Sequence, residues 1–395
     1  MRITGLRLRG ILDSRARATV EADVVLDDRY HGRGSSPRAI APGRRERPLG
    51  DPTLLGPLAP GELHRALLGQ DVDDQADLDL RVARSDVGAA ETLAVSLAFA
   101  RAVASAHGLT LHRYLARLAG TTPRVPRLLV NVFSGGIHGN GPPAGFQQIM
   151  VIPDTGGLTG DIELARVVFD EAERQVQQRF GPARFSPSSG LLVPVDSERQ
   201  LTLLHDVVAA AGGTGAVSYG VDVAAEHLVE RPGAYRLGPD VLSSAELAGR
   251  LSALVERYPL SYLEDPFDPA DEPAWRALRR DLPPTTTVIG DDLFATDAAR
   301  VDSSLADGIL LKLSQAGTLT ATLEASRAAR EAGLVSAVSH RSGETEDTAM
   351  CDLAVGVGAE LIKVGGPRRG DRLAKYNQLL RLAETVPAEP PVAVR

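Results

Sequence analysis

From about Pro259 onward, segment after segment reads as a buried apolar strand that ends in a charged or titratable residue. The runs are PLSYLEDPF, TTVIGDDLF, GILLKLSQ, LVSAVSHRSGE and LIKVGGP, and the residues closing them are Glu264, Asp291, Lys312, His340 and Lys363. Helical stretches separate them. Buried parallel strands are apolar on both faces, and in a (β/α) barrel their C-terminal ends supply the reactive groups. This cadence therefore predicts a parallel barrel with an active site at one mouth.

Asp222 closes an earlier short strand near Val217–Val221. The spacings from Asp222 to Glu264 and on to Asp291 are those of neighbouring βα units, each taking roughly 25–45 residues. Three carboxylates facing one point form a hard-cation site, and Mg²⁺ is the usual occupant when water and substrate complete the octahedron. Each acid alone fits a solvated loop acid or a helix N-cap equally well; the repeated placement at strand ends favours the site. Lys312 is expected to have a lowered pKa, as a general base needs, and Lys363 to neutralise a carboxylate or an enolate. The alternative for Lys312 is a structural ion pair with one of the acids. His340, Arg341 and Ser342 offer a cradle for phosphate, with Glu344 and Glu346 to orient them. The glycine-rich turn SGGIHGN, Ser134–Asn140, carries His138 and lacks the lysine of a Walker loop.

The chain has 395 residues, 43% of them hydrophobic and 24% charged, with net charge −8 and a single cysteine. The acidic balance argues against a nucleic-acid-binding surface. One cysteine excludes an intrachain disulfide and a multi-cysteine zinc site; Cys351 lies in a small-residue helical run and reads as buried. The N-terminus MRITGLRLRG has no long apolar core of a signal peptide. No apolar stretch is expected to reach membrane-spanning length. The expectation is a cytoplasmic protein.

Arg2–Leu12 and Ala18–Leu26 read as strands, the second by its period of two. Residues 27–51 are rich in Gly, Pro, Ser and Arg and read as one long loop; Arg38, Arg44 and Arg45 there fit a solvated face or an anion-gripping lid. Pro60–Leu68 and Val87–His107 read as helices. The Pro-containing run GTTPRVPR, Gly120–Arg127, places a boundary between an N-terminal α+β capping domain, 1–122, and a catalytic (β/α)8 barrel, 123–395. Leu128–Val132 and Gln148–Ile152 read as its first strands, and Asp161–Arg179, Gly317–Ala332 and Lys375–Glu384 as helices.

These motifs resemble those of enolases along nearly the whole chain. ILDSRARATVEADVVL, VGAAETLAVSLAFARAVA, LVNVFSGGIHGN, YLEDPFDPADEPAW, GDDLFATD, LLKLSQAGTLTATLEA, VSHRSGETEDT and IKVGGPRRGDRLAKYNQLLR all have enolase counterparts. The resemblance implies an enolase-type (β/α)8 barrel and a homodimer. It implies Asp222, Glu264 and Asp291 as Mg²⁺ ligands, Lys312 as the base that removes the proton α to a carboxylate, and Lys363 as the group stabilising the enolate. It implies Arg341 and Ser342 on the phosphate, with His340 and His138 lining the substrate site.

The chain departs from that pattern on the acid side. Enolases carry Gln-Glu-Phe-Met where this chain has Gln147-Gln148-Ile149-Met150. They carry GDEGGxAP where it has PSSGLLVP, which puts Ser189 at the acid position. They close with PSGASTG where it has PRAIAPG, Pro37–Gly43, with Ala41 in place of a serine that meets a second Mg²⁺. Losing general-acid help typically costs about 10²–10⁴-fold. Three expectations follow. The first is a Mg²⁺-dependent lyase acting on 2-phosphoglycerate or a close phosphonate analogue, like the carboxyphosphonoenolpyruvate synthase-like paralogues of phosphonate and phosphinate biosynthesis. Gln147, Gln148 and Arg38 would then help to bind a small phosphorylated or phosphonylated carboxylate. The second is an ordinary phosphopyruvate hydratase, with an acid such as Glu226 stepping in. The third is a non-catalytic enolase-like binding protein.

Overall fold

The structure, a computed structural model, describes residues 1–39, 55–136 and 145–386. His138, Ala41, Arg44 and Arg45 lie outside the described residues. The chain opens with an antiparallel sheet of four strands in the order β3-β2-β1-β4: β1 Ile3–Leu12, β2 Ala18–Leu26, β3 Tyr30–Ser35 and the two-residue β4 Gly56–Pro57. Four helices follow: α1 Glu62–Leu67, α2 Gln75–Ala83, α3 Ala89–Ala106 and α4 Leu111–Ala119.

β3 corrects the expectation of a continuous loop after Asp27. HGRGSS lacks the apolar alternation of a strand because its glycines serve a different purpose. A Cβ at Gly32 would lie 1.9 Å from the Ala98 carbonyl oxygen, and one at Gly34 would lie 2.6 Å from that of Ala94. Bare glycine backbone lets α3 lie directly on the sheet. α3 corrects a second expectation. It is the one helix among the described residues long and apolar enough to cross a membrane, yet 78% of that window is buried inside the protein. Its alanine- and leucine-rich surface is core packed against β2, β3 and α2.

From Arg127 the chain forms a closed eight-stranded barrel. In chain order its elements are β5 Arg127–Ser134, β6 Gln148–Pro153, α5 Leu158–Phe180, the short β7 Leu191–Leu192, α6 Ser197–Ala210 and β8 Val217–Asp222. A three-stranded meander follows, β9 Val229–Arg231, β10 Ala234–Leu237 and β11 Asp240–Ser243. Then come α7 Ser244–Arg257, β12 Leu260–Glu264, α8 Glu272–Asp281, β13 Thr287–Gly290, β14 Gly308–Leu311, α9 Leu313–Ala316, α10 Leu319–Glu331, β15 Val335–Ser339, α11 Ala349–Val357, β16 Leu361–Lys363 and α12 Gly370–Ala383. Pairing of β16 with β5 closes the ring. Cys351 is buried in α11.

The barrel is not wholly parallel. β6 runs antiparallel to both β5 and β8. This reversal puts the first residue of β6, Gln148, at the mouth where the other strands end, directly opposite Asp222.

Candidate active site

The side-chain period of two explains how the site is built. Leu129, Met150, Ile152, Tyr262, Ile289, Leu310, Ala337 and Leu361 form a separate, almost fully buried cluster that fills the lumen. Gly220 supplies no side chain there and leaves room for the Tyr262 ring, 3.3 Å from where its Cβ would be. Two residues further along each strand, the pleat points the next side chain into the same lumen, one layer nearer the mouth. From Gly220, Tyr262, Ile289, Leu310 and Leu361 that step reaches Asp222, Glu264, Asp291, Lys312 and Lys363. From Met150, on the reversed strand, it reaches Gln148. From Ala337 it reaches Ser339, so His340 stands one residue past this layer.

The layer is a compact electrostatic network. Lys363 Nζ lies 2.8 Å from Asp222 Oδ2 and 2.9 and 2.7 Å from the two oxygens of Glu264. The Tyr262 hydroxyl donates to Glu264 at 2.6 Å. Gln147 Nε2 donates to Asp222 Oδ2 at 3.2 Å. Lys312 Nζ pairs with Asp291 Oδ2, while Gln315 Nε2 donates to Asp291 Oδ1 at 3.1 Å. Thr296 ties this corner together, donating to Gln315 Oε1 at 2.7 Å and accepting from the Lys312 amide at 2.9 Å.

Burial and the charge of Asp222 push the Glu264 carboxyl up against the pull of Lys363. Burial would lower Lys363, but Asp222 and Glu264 outweigh it and hold the amine well above the lysine range. The same contest decides Lys312. Burial lowers it and Asp291 raises it, and the net direction is up. This corrects the expectation of a lowered Lys312: the acid beside it keeps it protonated in this arrangement. Burial also opposes ionisation of Asp291, and Lys312 reverses that, holding Asp291 below the usual carboxylate range.

His340, Arg341 and Ser342 are all buried on the flank of the layer. Arg341 acts electrostatically on both Lys312 and Asp291, and its amide donates to Glu344 Oε1 at 2.8 Å. Lys375 holds the other Glu344 oxygen at 3.0 Å. The N-terminal sheet reaches this loop. Arg38 and Gly343 exchange backbone hydrogen bonds of 2.7 and 2.8 Å, and Arg38 Nη1 donates to the Ala18 carbonyl at 2.7 Å. Arg101 grips Asp347 with both terminal nitrogens at 2.7 and 2.6 Å. Ser189 is fully buried at φ +64°, and its hydroxyl donates to the Arg368 carbonyl at 3.1 Å.

Two acids that strand-end reading passed over complete the mouth. Asp265, Asp291 and Asp292 each bring a carboxylate oxygen within 4.8 Å of the others, an arrangement that could hold a metal ion. Asp265 also has a second task. Its Oδ1 accepts the Asp291 amide at 2.8 Å and its Oδ2 the Asp292 amide at 2.9 Å, which sets the height of the neighbouring strand end. The doublets Glu264-Asp265 and Asp291-Asp292 were the sequence signal for this cross-strand clamp.

A closed α/β barrel with titratable side chains gathered at the C-terminal mouth has the layout of the TIM-barrel class, whose active sites sit at that face. The family model of the enolase C-terminal TIM barrel domain matches residues 122–393. The match covers more than half of the chain, and the protein belongs to the enolase family.

Proposed function

We propose that this protein is a Mg²⁺-dependent lyase that removes the proton α to the carboxylate of 2-phosphoglycerate, or of a close phosphonate analogue, and then releases the β-hydroxyl as water to form an enolpyruvate product. The observation that carries this reading is the interleaving of Lys312 and Lys363 with Asp222, Glu264 and Asp291 in one buried layer. The donor set fits the metal: these are hard carboxylate oxygens, already held by cationic partners, on neighbouring strand ends. Asp222, Glu264 and Asp291 would hold Mg²⁺; among the described residues the acids whose oxygens converge within 4.8 Å are Asp265, Asp291 and Asp292, so Asp291 belongs to both sets. Bound there, the ion supplies Lewis-acid charge for a carboxylate and for the enolate it becomes.

The residues divide the remaining work. Lys312 is the base. It must give up Asp291 and lose its proton before it can take one from carbon, and burial together with the charge of Arg341 favours its neutral form once that pair is parted. Lys363 faces the enolate oxygen. Arg341 and Ser342 bind the phosphoryl or phosphonyl group, with His340 beside it.

The expulsion half is weak. Gln148 cannot exchange a proton, and the Ser189 hydroxyl is spent on a backbone carbonyl. Proton abstraction is therefore retained and dehydration of 2-phosphoglycerate is slow. A phosphonate analogue that ends as an enolpyruvate must lose the same β-hydroxyl, so the altered-substrate reading rests on Arg38 and the arginines after it, which would serve its extra charge. The test is purified protein with MgCl₂ and 2-phosphoglycerate in D₂O. Deuterium entering the α position faster than phosphoenolpyruvate appears supports the reading. Turnover at ordinary enolase rates would overturn the altered-substrate reading, and absence of exchange with every analogue would favour a binding protein.

A further inference from the structure

His340 and Arg372 are 32 residues apart in sequence, and Arg372 Nη1 lies 2.6 Å from His340 Nδ1. Arg372, in the first turn of α12, is fully buried. Its Nη2 donates to the carbonyls of Arg341 at 2.9 Å, Ser342 at 3.2 Å and Pro187 at 3.2 Å. Its Nε lies 3.1 Å from Asp371 Oδ2. Gly365 makes this seat possible: a Cβ there would stand 3.2 Å from Arg372 Cδ and 2.8 Å from the Ser188 carbonyl.

The geometry sets the histidine's tautomer. Guanidinium nitrogens are donors only, so a nitrogen facing Arg372 at this distance must offer a lone pair. Nδ1 also lies 2.9 Å from the Arg341 carbonyl, a contact that would call for a proton on Nδ1. That carbonyl already accepts from Arg372 Nη2, so it does not need the imidazole. The arginine contact is the shorter one and has only one polarity. The remaining ring nitrogen, Nε2, is buried and has no hydrogen-bond partner among the described residues.

We propose that Arg372 is a positioning residue that holds His340 as the neutral Nε2–H tautomer, leaving the imidazole one outward function, donation of a hydrogen bond from Nε2. Burial and the Arg372 charge push the His340 pKa well down, in agreement with that geometry. Taken with the substrate site proposed above, on which this consequence rests, His340 would donate to an anionic substrate oxygen and would not act as a proton-accepting base.

The test reads the ring nitrogens directly, without metal or substrate, so its outcome is independent of which reaction the protein catalyses. Long-range ¹H–¹⁵N correlation spectra of histidine-labelled protein give a tautomer for each of the 8 histidines, and H340Q identifies the His340 signals. The expected result is a pyridine-type Nδ1 and a protonated Nε2 that do not change through the pH range where a free imidazole titrates. An Nδ1–H tautomer, or an ordinary titration, overturns the proposal. Folded R372M should free the ring to titrate, and R372K, which keeps a charged donor, should hold the Nε2–H form. An unchanged His340 in R372M also overturns it. Should R372M not fold, the wild-type spectra decide the question alone.

Discussion

Lys363 Nζ sits 2.8 Å from Asp222 Oδ2, with both side chains almost completely excluded from solvent. The residues are 141 positions apart. The lysine also holds Glu264, so a single amine balances two buried acids on adjacent strands. Removing one partner of a buried pair leaves an uncompensated charge, at a cost of about 3–5 kcal/mol. Lys363→Met is expected to lose stability of that order in urea denaturation without metal. Asp222→Asn, which leaves Lys363 its Glu264 partner, should lose less.

Metal binding should be visible in stability. A ligand that binds only the folded state at about 100 times its Kd adds about 2.7 kcal/mol. MgCl₂ is expected to raise the thermal midpoint of the wild type. Asp222→Asn, Glu264→Gln and Asp291→Asn should each shrink or abolish the rise, read by differential scanning calorimetry with and without EDTA.

Lys312→Ala should stop α-proton exchange while leaving the phosphate cradle in place. Loss of a general base costs about 10²–10⁴-fold. The check is deuterium incorporation into 2-phosphoglycerate followed by NMR. Retention of wild-type exchange would remove Lys312 from the role of base.

Gln148→Glu should partly restore acid help. The position is buried at the mouth, opposite Asp222. Burial and the like charge of Asp222 would raise the pKa of a glutamate there, as a proton donor requires. Phosphoenolpyruvate formation is expected to rise by about 10²-fold, the low end of general-acid effects, because Ser189 still contributes nothing. Absorbance of the product follows this directly.

The Arg101–Asp347 pair predicts a pH dependence of stability. Burial raises the Asp347 carboxyl, but Arg101 outweighs burial and holds it below the usual range. A folded-state pKa below the unfolded one gives stability that is fully present above the unfolded carboxylate value. It is lost as pH falls through the folded value. Asp347→Asn should therefore be less stable than wild type at neutral pH by about 3–5 kcal/mol. The gap should close on acidification, as measured by urea melts at a series of pH values.

Much of the barrel was legible because it depends on local regularities. Apolar strand runs, their charged ends and the helices between them follow from side-chain period and length, which any stretch of chain carries within itself. Asp222, Glu264, Asp291, Lys312 and Lys363 were found in this way, and the structure brings all five into one layer. The reversal of β6 was not legible, since a short apolar run reads the same in either direction. β3 escaped because its glycines answer to the backbone of α3 and carry no pattern of their own. His340 was grouped with the strand ends, but the pleat gives that place to Ser339.

By itself, then, the sequence determined the strands, their reactive ends and the absence of acids at Gln148 and Ser189. Only the tertiary structure decided which charge meets which. Lys312 was expected to have a lowered pKa, and its pairing with Asp291 raises it in this arrangement. Arg372, just outside the helix expected over Lys375–Glu384, was not singled out and sits on His340. The physical reason is that a pKa or a tautomer belongs to neighbours, and barrel closure brings those neighbours together from distant parts of the chain.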